Sequence, residues 1–255
     1  MNIKFFSLSL LLLTVIFSIV TQSLYAQLYD NKVERQLDEA RHQPKFRISI
    51  DGGLGYMIAS TKAAKAQMKS YEIADQEADR YYREIKLGEQ AGASIYYQID
   101  PDVGFGLDYN IFTTKSEVMG FLTTGDGYIK YYGPFKEKIY TSFLGASFLQ
   151  RQNINEKWNL YGKLSVGLAF YRNESMMIIV PALITGNAPA IRGESGLSYS
   201  INPRISVIAG ISYLFSTLRK IEVNDGTNTT AVKLEGDMKE NLSRLSVSTG
   251  VQFHF

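Results

Sequence analysis

The stretch VGFGLDYNI, residues 103–111, alternates strictly between apolar side chains and small or polar ones. Phe105, Leu107 and Tyr109 fall on every second position, with a glycine or a polar residue between them. Because successive side chains of a β-strand point to opposite faces, this pattern produces one apolar face and one polar face. The stretch therefore predicts a strand that separates an apolar environment from a polar one.

The same two-residue alternation recurs along residues 46–255, and the sequence predicts eight strands in all. The first run begins at Phe46 and the last ends at Phe255. The clean runs are about 11 residues long, which matches a tilted strand that crosses a bilayer. One run, around residues 139–151, is apolar in both phases, so its orientation stays open.

The connectors between these runs alternate between short and long. Short links follow the second, fourth and sixth runs, at residues 100–102, 153–157 and 202–204. Long or polar links follow the other runs, the first at residues 59–84 and the last at residues 224–241. This alternation is typical of an up-and-down barrel with short periplasmic turns and longer extracellular loops. An even number of strands then places both termini on the periplasmic side.

The polar faces carry charges, and these charges decide which face is the inside of the barrel. The residues predicted to form an interior charge network are Arg47, Asp51, Asp108, Lys163, Arg192, Glu194 and Arg244. A soluble ligand-binding barrel has an apolar interior, in which so many charges would be costly. The sequence therefore predicts an all-β fold, an eight-stranded antiparallel up-and-down transmembrane β-barrel formed by residues 46–255.

The predicted interior charges allow two interpretations. In the first, they line a channel that selects ions or small solutes, as in a small porin. In the second, acids and bases pair with each other and close the lumen. Since the interior of an eight-stranded barrel is only wide enough for side chains to fill it, the closed lumen is favoured.

The amino-terminal segment has the pattern of an export signal. Residues 8–20 form an almost unbroken apolar run after Lys4, and a polar stretch with small residues follows up to Ala26. A basic start, a short apolar segment and a small residue are typical of a cleaved signal peptide. The apolar run is shorter than the ~20 residues that a membrane-spanning helix needs. The sequence predicts a signal peptide over residues 1–26 and a polar periplasmic lead-in over residues 27–45.

The composition argues against several kinds of chemistry. The 255 residues include no cysteine and two histidines, which disfavours disulfide frameworks and zinc sites, and the near balance of 27 basic and 25 acidic residues disfavours nucleic-acid binding. His42 precedes the first strand and His254 lies at the periplasmic end of the last. Neither reaches the outer rim, where an enzyme that modifies lipids or peptides would need a general base. The sequence predicts no enzyme activity and no cofactor.

The closing segment LSVSTGVQFHF, residues 245–255, resembles the carboxy-terminal signature of outer-membrane barrels, with Val251, Phe253 and Phe255 at alternate apolar positions. With the eight runs and the signal peptide, the chain resembles the porin-like outer-membrane β-barrel domain proteins of Bacteroidota-type bacteria, whose plan the small OmpA- and OmpX-type barrels share. The resemblance implies a monomer in the bacterial outer membrane, in contact with its lipid. It also implies that periplasmic chaperones and the barrel-assembly machinery are partners during biogenesis, with the terminal motif as assembly signal.

Two predicted extracellular segments are unusually apolar. The third run continues to Thr123 and meets the hairpin signal TGDG at residues 124–127, and residues 176–184 form a second apolar stretch. The candidate docking residues in these segments are Phe121, Tyr128, Tyr131, Met177, Ile179 and Leu183. Either the two hairpins pack on each other, or they form a docking surface for an extracellular protein or glycan. The sequence favours a structural or surface-interaction role through these hairpins.

Overall fold

The computed structural model describes residues 44–59, 62–123, 130–236 and 239–255. The predicted signal peptide and residues 27–43 of the predicted lead-in lie outside these ranges. The strands are β1 (Phe46–Met57), β2 (Leu87–Asp100), β3 (Val103–Thr123), β4 (Lys130–Asn153), β5 (Trp158–Met177), β6 (Val180–Asn202), β7 (Ile205–Leu218), β8 (Lys220–Asn224), β9 (Thr229–Lys233), β10 (Glu240–Asn241) and β11 (Arg244–His254). The helices are α1 (Lys62–Ser70) and α2 (Asp75–Lys86). Within the described ranges, neither helix is long and apolar enough to cross a membrane.

Eight of the strands form a closed ring. Strands β1 to β7 pair in sequence order, each antiparallel to the next, and β11 pairs with both β7 and β1. The closing seam runs from Arg47 opposite His254 to Met57 opposite Arg244. Within the ring, closure leaves these strands without a free edge. The predicted eight-stranded antiparallel up-and-down barrel is therefore confirmed.

The two faces of the ring have the predicted chemistry. Phe105 and Leu107 on β3 point outward and are 51% and 55% exposed, whereas Asp108 points inward and is 2% exposed. Glycines on the inward face allow close contact between strands, since a Cβ at Gly106 would lie 1.8 Å from the carbonyl oxygen of Ile95. An apolar exterior around a polar interior is the arrangement that a bilayer requires of a barrel.

The orientation of β4, which the sequence left open, follows from what lies inside the barrel. Ile139, Phe143 and Leu149 point inward and are buried, while Leu144 and Phe148 point outward. Ile139 and Phe143 are apolar because they belong to a hydrophobic core at the end of the barrel opposite the short turns, and Leu149 because it packs in a smaller core with Tyr96, Tyr161 and Ile208. Both phases of this strand are therefore apolar, one toward lipid and one toward a protein core.

Four neighbouring strands are much longer than the others. Strands β3 to β6 have 20–24 residues, whereas β1, β2, β7 and β11 have 11–14. Pairing of β2 with β3 ends at Thr113, but β3 and β4 stay paired as far as Thr123 and Lys130. At ~3.3 Å per residue, this ribbon extends ~30 Å along the strands beyond the ring. We call the part of β3 beyond Thr113, together with the parts of β4, β5 and β6 that lie beyond the same level, the projecting sheet. The β8–β9 hairpin extends this sheet, because β8 pairs with β6.

The first long connector is helical, which the sequence analysis did not predict. Helix α2 buries Ala78, Tyr81 and Ile85, which lie on one helical face, against the inward side of the projecting sheet. We call α1 and α2 the helical cap. The hydroxyl of Thr114 donates to the carbonyl oxygens of Glu84 and Leu87 at 3.0 and 2.9 Å, which fastens the end of α2 to β3. The cap and the sheet thus share a hydrophobic core, which we call the cap core and which continues into the ring at Phe143, Ala169 and Leu214.

Candidate functional site

Four of the seven predicted interior charges form one network inside the barrel. Arg192 donates from Nη1 to Asp108 Oδ2 and from Nη2 to Glu194 Oε2, both at 2.6 Å. The ammonium of Lys163 lies 3.1 Å from the other carboxylate oxygen of Glu194. All four residues are at most 2% exposed. Because each carboxylate has a cation beside it, the burial of these charges is compensated.

Hydroxyl groups complete the hydrogen bonding of this network. Tyr161 donates to Glu194 at 2.9 Å, and Ser165 donates to Asp108 at 3.1 Å. Ser165 also bonds Ser147 on β4 at 2.8 Å. The network therefore connects β3, β4, β5 and β6 across the lumen. Charged and hydroxyl side chains together form a layer that fills the interior at this level, and we call it the charge layer.

The other three predicted interior charges form no ion pair with the charge layer, although Asp51 lies close enough to Lys163, Arg192 and Glu194 to interact electrostatically with them. Arg47, toward the end with the short turns, donates to the carbonyl oxygen of Pro101 at 3.0 Å. Arg244, toward the outer end, bonds Asn110, and its guanidinium lies 4.4 Å from the centre of the Phe112 ring. Asp51 is buried on β1 and makes no salt bridge with any residue in the described ranges. The alternation in the sequence placed these residues inside the barrel but could not show which of the interior charges form ion pairs.

The predicted assembly signal lies on the lipid-facing side of β11. Val251 is exposed, Phe253 is half-buried, and Phe255 is 66% exposed. The backbone N–H of Phe255 donates to the carbonyl oxygen of Phe46 at 2.9 Å, so the last residue closes the seam. Beside it, the inward side chain of His254 bonds Ser206 at 2.9 Å. No cluster of three metal-binding side chains occurs among the described residues.

The candidate docking residues do not share one surface. Phe121 and Leu183 point to the outward side of the projecting sheet, whereas Tyr131 and Met177 are in the opposite phase. Ile179 is at the tip of the β5–β6 hairpin and is 79% exposed. Tyr128 lies outside the described residues. The described members of this set therefore do not share one face of the sheet, because adjacent positions of a strand face opposite sides, and a docking role for them stays a prediction.

The β5–β6 hairpin has a strained turn. Ile178 has a φ of 61°, which is rare for a β-branched residue, and glycine is usual at such a position in a two-residue hairpin. Its side chain packs against the cap core and against Gly133, where a Cβ would lie 2.8 Å from Ile178 Cγ2. The packing of Ile178 therefore stabilises the two-residue turn, and the same turn leaves Ile179 exposed to water.

An apolar patch covers the outward side of the projecting sheet near its end. We call it the outer patch; its members are Met119, Phe121, Tyr132 and Met176. The rings of Phe121 and Tyr132 lie 4.8 Å apart, and Tyr132 is 59% exposed. Met119 lies eight residues beyond Ile111 of the lipid-facing band, which is ~26 Å along the strand and, with a tilt of ~40°, ~20 Å along the membrane normal. The outer patch is therefore directed at the aqueous side and not at the bilayer core.

Two partly buried carboxyl groups, those of Glu137 and Glu240, lie beneath the helical cap. Burial raises the pKa of Glu137, which accepts hydrogen bonds from Tyr81 and Asn173. Burial and the nearby charge of Glu137 raise the pKa of Glu240 from its usual 4.5 to about 7. Tyr82 of α2 and Tyr171 of β5 also face Glu240, and the pKa of each hydroxyl is raised, first by burial and then by these carboxylates. The cap core is thus more compatible with a neutral than with an ionised Glu240.

We expect the helical cap to loosen as the pH rises. Because the folded-state pKa of Glu240 lies above the ordinary value, its contribution to stability is complete below about pH 4.5 and is lost as the pH passes through about 7. The loss amounts to about 3 kcal/mol at most. Hydrogen exchange of α2 amides, corrected for intrinsic rates, should accelerate between about pH 5 and pH 8.

The matched variants for this measurement are Glu240→Gln and Glu235→Gln. The first removes the buried titrating group and should flatten the pH dependence. The second removes an exposed carboxylate of a neighbouring loop and should leave the profile as in the wild type. A profile that is equally steep in Glu240→Gln would assign the effect to Glu137 and contradict the role of Glu240.

The ring of eight strands, its apolar exterior and its filled, charged interior define the class of small outer-membrane β-barrels. The additional elements of this chain are the projecting sheet and the helical cap. They lie on the side of the barrel opposite the short turns, where such barrels carry their longer loops.

No protein-family model and no curated protein matches the sequence. Among solved structures, Neisserial surface protein A is 14% identical, with a TM-score of 0.45 over 83% of this chain and 97% of its own. A major outer membrane protein from Thermus thermophilus is 11% identical, with a TM-score of 0.48 over 82% and 99%. The outer membrane protease OmpT from Escherichia coli is 8% identical, with a TM-score of 0.45 over 82% and 96%. The class rests on the strand ring and its two faces, and shared architecture does not specify an activity.

Proposed function

We propose that this protein is a bacterial outer-membrane barrel that presents the projecting sheet outside the cell to bind a partner protein. The observation that carries the proposal is the outer patch. Methionine and aromatic side chains are exposed together on a sheet that a core of its own holds rigid. Aromatic residues and methionine are enriched at protein interfaces, and a contiguous exposed apolar patch marks an interaction site.

The alternative function, conduction of ions or small solutes, has less support. The charge layer fills the lumen in the middle of the barrel, and the cap core fills the outer end. A solute would have to displace buried ion pairs and then a packed hydrophobic core. Both barriers favour a membrane anchor for the projecting sheet over a pore.

The orientation in the membrane and the route of assembly belong to the same proposal. The short turns and both ends of the ring, at β1 and β11, lie on one side of the barrel, which we assign to the periplasm. Val251 and Phe253 lie on the seam strand β11, Phe255 follows it, and all three remain accessible in part, which suits a role as the signal for the barrel-assembly machinery and periplasmic chaperones. Contact with outer-membrane lipid follows from the exposed apolar band, and a monomer suffices because the ring closes on itself.

The double variant Tyr132→Ser/Met176→Ser tests the docking role of the outer patch. The chain offers a matched control in Tyr131→Ser/Met177→Ser, which changes the same residue types at adjacent positions on the opposite side of the sheet. Cells displaying each barrel are tested against an array of immobilised extracellular proteins and glycans. We expect a protein that binds the wild type and the control but binds Tyr132→Ser/Met176→Ser about tenfold more weakly, the loss of one or two apolar contacts.

Two results would contradict the proposal. If both double variants bind every arrayed molecule as the wild type does, the outer patch is not a docking surface. If binding falls equally in both, the loss reflects damage to the sheet and not removal of a contact. A glycan as the only ligand sensitive to Tyr132→Ser/Met176→Ser would replace the protein partner in the proposal.

A further inference from the structure

The two carboxylates beneath the helical cap have no basic partner. Glu137 on β4 and Glu240 on β10 lie close enough for the charge of Glu137 to act on Glu240. Neither takes part in a salt bridge with a residue that the structure describes. The exposed Glu235, five residues before Glu240, does pair with a lysine, Lys233, at 2.8 Å. The cap core therefore holds two acidic groups without the cations that compensate the charge layer.

An amide oxygen beside this pair also has no hydrogen-bond partner. Asn173 on β5 is 5% exposed, and its Oδ1 atom accepts no hydrogen bond within the described part of the chain. The amide of Asn173 donates to Glu137 and to the hydroxyl of Tyr171, which in turn faces Glu240. The amide thus lies between the two carboxylates. A buried polar atom without a partner is uncommon in folded proteins, so this oxygen is an acceptor available to a ligand.

The strand register explains why these three side chains converge. Asn173 is the cross-strand partner of Ile139, and Glu137 lies two residues from Ile139, on the same side of β4. Glu240 is the cross-strand partner of Leu218 on β7. Ile139 and Leu218 both belong to the cap core, and cross-strand partners point to the same side of a sheet. Three different strands therefore direct oxygen ligands into one core.

The oxygens of this group suit a calcium ion. Ca²⁺ is bound by carboxylate, amide and water oxygens in a flexible geometry with 6–8 ligands, whereas Mg²⁺ demands a near-ideal octahedron. Two carboxylates balance the double positive charge, and the amide oxygen of Asn173 adds a neutral ligand. Because Glu240 is only partly buried, water molecules can supply the remaining ligands. A site with so few protein ligands should be weak, in the range of about 10⁻⁴–10⁻³ M that extracellular calcium modules show.

We propose that Glu137, Glu240 and Asn173 bind a calcium ion beneath the helical cap. The ion connects β4, β5 and β10. It also steadies α2, because Tyr81 of this helix donates its hydroxyl hydrogen to Glu137. Calcium in the medium outside the cell then determines how firmly the cap is fastened to the projecting sheet. The pH dependence of the cap described above is that of the calcium-free protein.

The test uses the full mature protein refolded in uncharged detergent micelles at about pH 8, above the pKa of about 7 of Glu240. Hydrogen exchange of α2 amides is compared in EDTA, in about 5 mM CaCl₂ and in about 5 mM MgCl₂, at equal ionic strength. With a Kd of about 0.5 mM, calcium at this concentration should slow the exchange about tenfold, and magnesium should have a smaller effect. The amides of β1 and β11 should not respond, since the site lies outside the ring.

Two matched variants locate the calcium effect. Glu240→Gln removes one charged ligand and should abolish the effect. In EDTA its α2 amides should be protected at least as well as those of the wild type, which shows that the cap is folded. Glu235→Gln removes an exposed carboxylate nearby and should keep the tenfold effect. Terbium, which replaces calcium and is excited through nearby tyrosines, should luminesce in the wild type and in Glu235→Gln but not in Glu240→Gln.

Three results would overturn the calcium site. If calcium leaves the exchange of the wild type unchanged, a proton alone compensates the two carboxylates. If calcium protects Glu240→Gln as much as the wild type, the ion binds elsewhere. If magnesium is as effective as calcium, the assignment to calcium is wrong. None of these results bears on the outer patch, whose partner binding is tested separately by Tyr132→Ser/Met176→Ser.

Discussion

Replacing Arg192 with methionine is expected to lower the free energy of unfolding by about 3–5 kcal/mol. Arg192 is the cation shared by Asp108 and Glu194, and its loss leaves a buried carboxylate without its partner. Removal of one member of a buried ion pair has a cost of this size. Urea titration of the protein refolded in lipid vesicles, followed by tryptophan fluorescence and by gel mobility, measures the change.

An exposed arginine serves as the control for this variant. Arg172 also pairs with a carboxylate, but its side chain is 58% exposed, so Arg172→Met should change the stability by less than about 1 kcal/mol. The double variant Arg192→Met/Asp108→Asn removes one cation and one anion and keeps the pair of Lys163 with Glu194. It should regain most of the lost stability.

The double variant also separates charge from packing. If Arg192→Met/Asp108→Asn is as unstable as Arg192→Met, the loss comes from the altered packing of the lumen and the charge layer does not stabilise the barrel through pairing. Both variants have the same replacement at position 192, and methionine is unbranched and flexible, so it can fill irregular gaps in the interior. An energetic difference between the two variants therefore reports on the unpaired carboxylate.

The strands could be predicted from the sequence because a barrel in a membrane has two environments and a strand has a period of two. The polarity of a residue such as Phe105 or Asp108 therefore indicates whether its side chain faces lipid or the lumen. The orientation of a strand could not be predicted where its inward face meets a hydrophobic core, which is a third environment beside lipid and the polar lumen. On β4 the inward Ile139 and Phe143 meet the cap core and not the polar lumen, so apolar residues occur in both phases.

The helical cap was missed for a related reason. Helix α2 is short and strongly charged, and only Ala78, Tyr81 and Ile85 mark its buried face. Three apolar residues at spacings of three and four are a weak signal in a segment that also fits a polar loop. Their partners, such as Val118 and Phe135, come from strands far along the chain, so the contact that stabilises the helix is not local.

The charge layer illustrates how far register can be inferred. Lys163 and Glu194 are cross-strand partners on β5 and β6, and their pairing follows once the turn at residues 178–179 is located. Arg192 and Asp108 lie on β6 and β3, which are not neighbours, and they meet across the lumen. That contact depends on the curvature of the closed ring, which alternation along one strand does not record. The predicted docking residues lie on two faces of the sheet because the sequence did not show which way each position of these strands faces. Tyr131 and Tyr132, for example, differ by one position and face opposite sides.

Replacing Tyr81 with alanine is expected to release the helical cap without opening the barrel to ions. Tyr81 is 2% exposed, packs in the cap core and donates its hydroxyl hydrogen to Glu137. Truncation of a buried aromatic residue costs about 3–5 kcal/mol, here with an added buried carboxylate that loses a donor. Hydrogen exchange of α2 amides should therefore accelerate about a hundredfold or more, while the amides of β1 and β11 keep their protection.

Planar-bilayer recordings of the same variant test whether the charge layer alone closes the lumen when the cap core is disrupted. The charge layer lies below the cap and does not depend on Tyr81, so Tyr81→Ala should produce no more conductance than the wild type. Tyr81→Phe keeps the ring and should retain most of the cap's protection, and Arg83→Ala, at an exposed position of α2, should retain all of it. Stable conductance steps in Tyr81→Ala would show that the cap is the principal seal. Ions would then pass the charge layer, so the charge layer would not close the lumen. That result would favour a pore over a membrane anchor as the function of the barrel.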